Sequence, residues 1–384
     1  IYDSLCGLIG KDELCAHDSD GKFALLLEYS DTKSLKERMD QMLSVLSKTA
    51  GCKNLAFHAG IAPARNEGGK SETDIESDHA NACAACATLE DKEGTGTAFY
   101  DEELVKEQRW IETLSQLQQK AADNEEFVVY YQPKYDPRTN ILSGAEALIR
   151  WQSPEHGFLS PYKFIPIFEK NGFITEIDHY MIRHAARDQK RWLDEGLRCV
   201  PVSVNVSRAH FIEDDLAEQI RDIVDAEGTP HELIEIELTE SAFFDDKRAM
   251  LDTITRLQGY GFAVSMDDFG SGYSSLNSLK DMPLDILKLD AGFFKGDAAD
   301  TDRGEIVVSE AIKLAKSLDM RTVAEGVESR EQVEFLASKG CDMIQGYYFA
   351  KPMPGNEYEE RIRSGRSEHA DDDEKSEDSD IITE

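Results

Sequence analysis

The chain lacks any apolar run of about 18 residues and any basic segment leading into an apolar stretch, so neither a membrane span nor a signal peptide is expected. Basic residues are scarce: 42 Lys and Arg face 76 Asp and Glu, for a formal charge of -34. That balance argues against a sequence-independent grip on a nucleic acid polymer or on an anionic membrane, and it requires local cations or metals wherever a small anion is to be held. Cysteine is sparse too. Seven thiols, an odd number without framework spacing, read as reduced side chains, and a cytoplasmic setting follows. Cys83 and Cys86 make a lone CxxC, but neither a second CxxC nor a His pair completes a zinc site, and the alanines around them suggest packing on a helix face. No initiator Met precedes Ile1, which suggests a piece of a longer protein whose other part would hold a sensor or membrane anchor. Internal repeats are not evident.

What is present is ample for a core: 384 residues, 40% of them apolar, suit a large domain with a smaller companion. Residues 1–103 read as a small mixed α+β domain. Phe23 to Leu27 and Leu55 to Ala62 are strand-like, Leu35, Met39, Met42, Leu43 and Leu46 recur at helical spacing, 66–78 is a polar loop, and Ala82 to Leu89 is a short helix. Residues 104–122 form a connecting helix, 123–363 a second domain, and 364–384 an acidic tail with almost no apolar residues, expected to be disordered.

In the second domain, strand-like runs alternate with amphipathic helices, the signature of a parallel α/β architecture. The strands are expected at Phe127–Gln132, Gly144–Ile149, Val200–Val206, Leu233–Leu238, Phe262–Asp267, Ile286–Leu289, Thr322–Ala324 and Met343–Phe349. The clearest helix begins at a Thr175 cap with Asp178 three residues on. Eight strands over roughly 240 residues match a (β/α)8 barrel, with a doubly wound open sheet as the alternative. A barrel puts functional residues at one end of its strands, and polar residues do recur strand after strand: Glu146, Asn205, Glu237, Asp267 with Asp268, Lys288, Glu325 and Gln345.

Asp267 and Asp268 close a buried strand just before a Gly-rich turn. Adjacent carboxylates near a core repel each other and lose hydration unless a cation or donors compensate. Capping of the next helix through Ser271 or Ser274 is the plain alternative. Five carboxylates and the Asn205 amide make an oxygen-rich set that suits two Mg²⁺ or Mn²⁺ ions, an arrangement used to hydrolyse phosphodiesters, with Lys288 orienting a water and Glu325 accepting its proton.

These residues lie in recognisable motifs. Glu146-Ala147-Leu148 with Ile149-Arg150-Trp151, Tyr131 to Lys134, Asn205 to Ser207, Glu237 to Ser241, Met266 to Leu276, Leu287 to Asp290, Ala324 to Glu328 and Gln345 to Phe349 together resemble the EAL-domain phosphodiesterases. These enzymes linearise the bacterial second messenger cyclic di-GMP on a TIM-like barrel. The resemblance covers roughly Leu117 to Ile362. It implies that Glu146, Asn205, Glu237 and Asp267 hold one metal and that Asp267 and Asp268 hold the second. It gives Lys288 the placing of water, Glu325 the role of base or second-metal ligand, and Gln132, Leu148 and Arg150 the dinucleotide. Gln345, Glu240 and Glu328 support the site, Glu240 by fixing the loop that in the family couples metal binding to dimerisation. A homodimer through this domain is therefore expected. Phe168 and Ser271 depart from the common family residues, but none of the ligands is lost, which favours activity over a catalytically silent cyclic di-GMP receptor or a scaffold.

Residues 1–103 resemble part of a GGDEF domain, with Ser19-Asp20-Gly21-Lys22-Phe23 standing in the signature position. Lys22 replaces an acidic residue and both leading glycines are gone, so a degenerate, partial domain without cyclase activity is expected.

Overall fold

The computed structural model describes residues 1–17, 21–48, 55–63, 75–89, 94–212, 215–239, 247–269, 279, 282–294 and 298–367, without the side chains of 102–105, 211–212, 247, 268, 294 and 298–302. The chain divides into two units, Ile1–Leu114 and Ser115–Glu384.

The first unit contains α1 (Tyr2–Cys6), β1 (Leu14–His17), β2 (Phe23–Leu26), α2 (Thr32–Lys48), β3 (His58–Ile61), α3 (Ile75–Ala87) and β4 (Gly96–Phe99). β1 and β2 pair antiparallel, β3 and β4 parallel. The stripe Leu35, Met39, Met42, Leu43 and Leu46 is buried, as its spacing requires, and packs with Leu5 and Ile61 against Phe23 and Leu25. Residue 60 has to be glycine: a Cβ there would stand 1.8 Å from the Ala82 carbonyl, so α3 crosses β3 backbone to backbone. Helix α3 begins earlier than expected, inside the stretch read as loop. Ala85 and not the cysteines fills its buried position; Cys83 is exposed and Cys86 donates weakly to the His58 carbonyl. Ser19 and Asp20 lie outside the described residues. Helix α4 spans Glu102–Asp123.

The second unit carries β5 (Phe127–Tyr135), β6 (Leu142–Ser153), β7 (Gly157–Leu159), β8 (Val202–Val206), β9 (Ile234–Thr239), β10 (Ala263–Phe269), β11 (Ile286–Leu289), β12 (Arg321–Ala324), β13 (Met343–Ile344) and β14 (Met353–Pro354). Among the described residues, β5, β6 and β8 to β13 close into an eight-stranded ring because β5 pairs with both β6 and β13. This is the TIM-like barrel and not the open sheet. Its helices are α5 (Ile165–Asn171), α6 (Ile174–Asp194), α7 (Leu216–Glu227), α8 (Lys247–Tyr260), α9 (Ala298–Ser317), α10 (Arg330–Lys339) and α11 (Gly355–Ser364). No helix among the described residues is long and apolar enough to cross a membrane.

Three expectations are corrected. The sheet is not wholly parallel: β5 runs antiparallel to β6 and β13. Only residues 136–141 join β5 to β6, and a parallel crossover needs about a dozen residues or more. Thr175 does not cap α6, whose N-cap is Phe173; the Thr175 hydroxyl donates to the Gly172 carbonyl, and Asp178 is buried, accepting the Ser207 N–H at 2.7 Å. The acidic tail does not begin at 364 as a free segment. Gly365 accepts from Leu142 N–H, and Ser367 N–H donates to the Asn140 carbonyl, which ties this stretch to the start of β6. Residues 368–384 lie outside the described residues.

Inside the ring, strand alternation stacks two tiers of side chains. On β8, β9 and β10 the pairs Ser203/Asn205, Glu235/Glu237 and Ser265/Asp267 share one face, while Val204, Ile236 and Val264 face the other way and are buried. Aromatic packing secures β5 and β6 to their helices: Phe127, Trp151, Phe164 and Phe168 lie ring against ring at 5.0–6.0 Å. Phe168 is therefore a core residue, remote in kind from any ligand chemistry.

Candidate active site

The upper tier of the barrel gathers charge. The fully buried Lys288 of β11 is the centre of it: its Nζ pairs with Glu237, lies 2.5 Å from Glu325 Oε1 and 3.1 Å from Asp267 Oδ1, and reaches Glu146 Oε2 at 3.8 Å. Each carboxylate arrives on a different strand or strand end, because inward-facing positions of adjacent strands meet at the same height. Four carboxylates around one ammonium leave a formal surplus of three negative charges, in a place where charge is costly unless compensated.

The ionisation behaviour follows. Burial pushes the Glu237 carboxyl far above the usual carboxylate range, with Lys288 pulling it back and Glu146 and Asp267 adding to the rise. Burial alone would push Lys288 down, but Asp267, Glu146, Glu237 and Glu325 hold its ammonium well above the ordinary lysine value. Burial pushes Glu325 up to about 7, against the pull of Lys288.

Amides set the orientation of Glu146. Asn205 Nδ2 donates to its Oε1 at 3.0 Å, and Gln345 Nε2 donates to its Oε2 at 2.6 Å. The same Gln345 nitrogen donates to Gln132 Oε1 at 2.9 Å, and Gln132 Nε2 in turn donates to the Ala350 carbonyl. Gln132 is thus occupied at both ends of its amide and buttresses the carboxylate tier. Gln345 is held in place because Gly346 lies directly on the Val327 backbone.

Leu148 and Arg150 continue up β6 above Glu146. Arg150 is half-buried, donates from Nη1 to the Ile149 carbonyl at 2.8 Å, and sits 5.6 Å over the Tyr130 ring. Glu328 is brought elsewhere: it is exposed, and its backbone N–H donates to the Gln332 side chain at the start of α10. Asp267 and Asp268 fall where the β10–β11 register shifts, a bulge of the kind that re-aims side chains. The Asp268 side chain, Glu240, Ser271 and Ser274 lie outside the described residues.

Sequence reasoning passed over the tier below. Lys134 is fully buried, donates from Nζ to Ser203 Oγ at 2.9 Å and lies 3.7 Å from Glu235 Oε1. The signal was period two: Gln132 and Lys134 alternate on β5 just as Glu237 and Glu235 do on β9.

The oxygen donors fit a divalent cation. One carboxylate oxygen each from Glu146, Glu237 and Glu325 lies within 4.8 Å of the others. Buried Glu237 Oε2 has no hydrogen-bond partner among the described residues, and Asn205 spends its nitrogen on Glu146, which leaves its oxygen, the atom a hard cation takes.

Comparison with known proteins gives the family. The family model described as "EAL domain" matches residues 115–352. The chain belongs to the EAL domain family. Beyond that match, it is 35% identical over 278 residues to the bifunctional diguanylate cyclase/cyclic di-GMP phosphodiesterase MucR of Pseudomonas aeruginosa, covering 72% of this chain and 40% of MucR. It is 29% identical over 352 residues to the cyclic di-GMP phosphodiesterase PA2567 of the same organism, covering 90% of this chain and 59% of that protein. Among solved structures, the PaMucR phosphodiesterase in its c-di-GMP complex superposes with a TM-score of 0.60 at 35% identity, covering 64% of this chain and 99% of that one. The EAL enzyme Bd1971, in its cAMP and cyclic-di-GMP bound form, gives a TM-score of 0.62 at 30% identity, covering 68% of this chain and 70% of that one. The chain spans between 29% and 59% of the length of eight curated relatives that it matches.

Proposed function

We propose that this EAL domain hydrolyses cyclic di-GMP to linear pGpG with two divalent cations, Mg²⁺ or Mn²⁺, in bacterial second-messenger signalling. The observation that carries the reading is the charge surplus at the barrel mouth: Glu146, Glu237, Asp267 and Glu325 converge on a single buried lysine.

Glu146, Asn205, Glu237 and Asp267 would hold one ion, and Asp267 and Asp268 the other. Bound there, the ions would supply Lewis-acid stabilisation of phosphate charge and a water of lowered pKa. The protein's own groups do the remaining work. Gln345 and Asn205 fix Glu146, so that the first carboxylate is oriented before substrate arrives. Lys288 keeps its charge and sits between the carboxylates, placed to orient the attacking water. Glu325, with a carboxyl that titrates near neutrality, is suited either to take the water's proton or to join the second ion. Leu148 and Arg150, above the carboxylate tier, are placed to receive the dinucleotide.

The name of the PaMucR structure, a phosphodiesterase in complex with c-di-GMP, supports this choice of substrate. We assign residues 1–103 to a degenerate GGDEF-like domain in a regulatory role, residues 104–122 to the connection, and the assembly to a cytoplasmic homodimer formed through the EAL domain. The test is incubation of the purified chain with cyclic di-GMP and Mg²⁺ or Mn²⁺, followed by chromatography of the nucleotides. Accumulation of pGpG that EDTA prevents is the expected result. Tight binding without turnover would replace hydrolysis with a receptor function, and neither binding nor turnover would overturn the proposal.

A further inference from the structure

The tier beneath the carboxylates divides into two halves. Two residues below Lys288, Glu325 and Gln345, on the same face of each strand, stand Ile286, Val323 and Met343, which pack together as a buried apolar cluster. The same step below Asn205, Glu237 and Asp267 gives Ser203, Glu235 and Ser265, all buried and all polar. Below Glu146 it gives Gly144. The floor of the barrel thus changes from apolar to polar under the strands that carry the expected ligands of the first ion.

Lys134 reaches across that polar half. It enters from β5, where its register partner is Gly144 on β6. A Cβ at Gly144 would stand 3.5 Å from Lys134 Cδ, so the stem runs close over the glycine. Its Nζ then donates to Ser203 Oγ on β8 at 2.9 Å and lies 3.7 Å from Glu235 Oε1 on β9. One buried side chain therefore meets the residue two below Glu146, the residue two below Asn205 and the residue two below Glu237. Each of these steps is about 7 Å, at about 3.3 Å per residue. Stability alone does not call for this arrangement, since a buried ion pair contributes little over apolar residues of similar volume, and apolar residues fill the other half of the floor. What the ammonium adds is direction: its N–H groups fix one point on β8 and face another on β9.

We infer that Lys134 positions the first metal site: it sets the relative heights of β6, β8 and β9, and through them the places of Glu146, Asn205 and Glu237. The inference rests on the proposed function, since it takes these three residues as ligands of one ion. Lys134 acts through the strands and not on the reacting atoms, because it stands a tier below the ligand oxygens. A small divalent cation demands a narrow range of ligand distances, so an error in strand height at the floor becomes a loss of affinity at the mouth.

The test compares the full chain with two variants. Ser203→Ala removes one anchor and leaves the Lys134–Glu235 pair; Lys134→Met/Glu235→Gln removes both charges, so that neither is stranded. Circular dichroism in EDTA gives Tm, electron paramagnetic resonance of free Mn²⁺ gives the Kd of the tighter-bound ion, and crystal structures in EDTA show where Glu146, Asn205 and Glu237 stand. The double variant should keep a Tm near that of wild type yet bind Mn²⁺ about 10- to 100-fold more weakly, and Ser203→Ala about tenfold more weakly. In both variants the three ligand side chains should move by more than about 0.5 Å. A pair that merely stabilised the barrel would leave Mn²⁺ affinity at the wild-type value in a double variant of wild-type Tm, and that result would overturn the inference. So would superposition of the three side chains on their wild-type places in both variants. If the double variant does not fold, Ser203→Ala decides by the same readouts of affinity and position. Failure of the wild-type chain to bind Mn²⁺ would overturn the proposed function instead, while the crystal structures still decide whether Lys134 sets the three positions.

Discussion

Replacing Lys288 by methionine tests the electrostatics of the site without emptying space in the core. The two side chains have similar length, so the main change is removal of the ammonium that Glu146, Glu237, Asp267 and Glu325 share. Removing one partner from a buried ion pair costs about 3–5 kcal/mol, because the charges left behind lack compensation. For a unit of this size each kcal/mol lowers Tm by about 2–4 °C, so Lys288→Met should melt about 6–20 °C below wild type in EDTA. Proton uptake by the stranded carboxylates caps the loss, and the gap should narrow as the pH is lowered. Saturating Mg²⁺ should raise the Tm of the variant by more than it raises that of wild type, since a cation now supplies charge that no side chain does. Thermal unfolding followed by circular dichroism, in EDTA and in Mg²⁺, reads both effects. A variant within about 2 °C of wild type in EDTA would refute the reasoning.

Three further outcomes are expected. Gly346→Ala would press a Cβ to 2.0 Å from the Val327 carbonyl, so the turn carrying Gln345 must shift; a stability loss of about 1–3 kcal/mol and a fall in turnover are expected, checked by Tm and kcat together. In the first unit, Arg38, and then the Gly10 and Glu28 N–H groups, hold the Glu13 carboxyl down at about 2 against burial. A carboxyl with a depressed folded-state pKa stabilises fully above its ordinary value near 4.5, and the contribution disappears as pH falls towards 2. Glu13→Gln should therefore loosen hydrogen-exchange protection of α2 by about 1–2 kcal/mol at neutral pH, a figure kept low because Arg38 is 33% exposed, and the difference from wild type should vanish towards pH 2. Asp178→Ala leaves the Ser207 N–H without its acceptor, at a cost of about 1–3 kcal/mol measurable by urea unfolding, and equal urea midpoints would count against a role for Asp178 in holding the end of β8.

The barrel was legible because its strands are apolar runs whose inward positions are interrupted by polar residues at a constant height. The reversal of β5 was legible in principle: Pro137-Arg138-Thr139-Asn140 sits in a connection too short for a crossover helix, and Asn140 adopts the left-handed conformation, with φ 55°, that such a turn uses. Motif order located Glu146, Glu237, Asp267, Lys288 and Glu325 and set Glu325 above Glu328, but it still counted Glu328 as a support of the site. Only the end of β12 decides that the first faces the cluster and the second faces water. Gln132 showed the same limit, since which group occupies an amide depends on Gln345 and Ala350, more than 200 residues away. Lys134 was hidden for another reason: a lysine inside a strand reads as solvent-facing until its partners Ser203 and Glu235 are seen across the barrel. The helix cap at Thr175 failed because Asp178 had a tertiary partner, the Ser207 backbone, that no local rule contains.

The central claim is that the carboxylates at the barrel mouth hold divalent cations, and counting bound Mn²⁺ tests it without any turnover. Titration followed by electron paramagnetic resonance of free Mn²⁺ should show two ions bound per chain, with binding weakened in Glu237→Gln and Asp267→Asn. Absence of bound Mn²⁺, or binding that both substitutions leave untouched, would contradict the account.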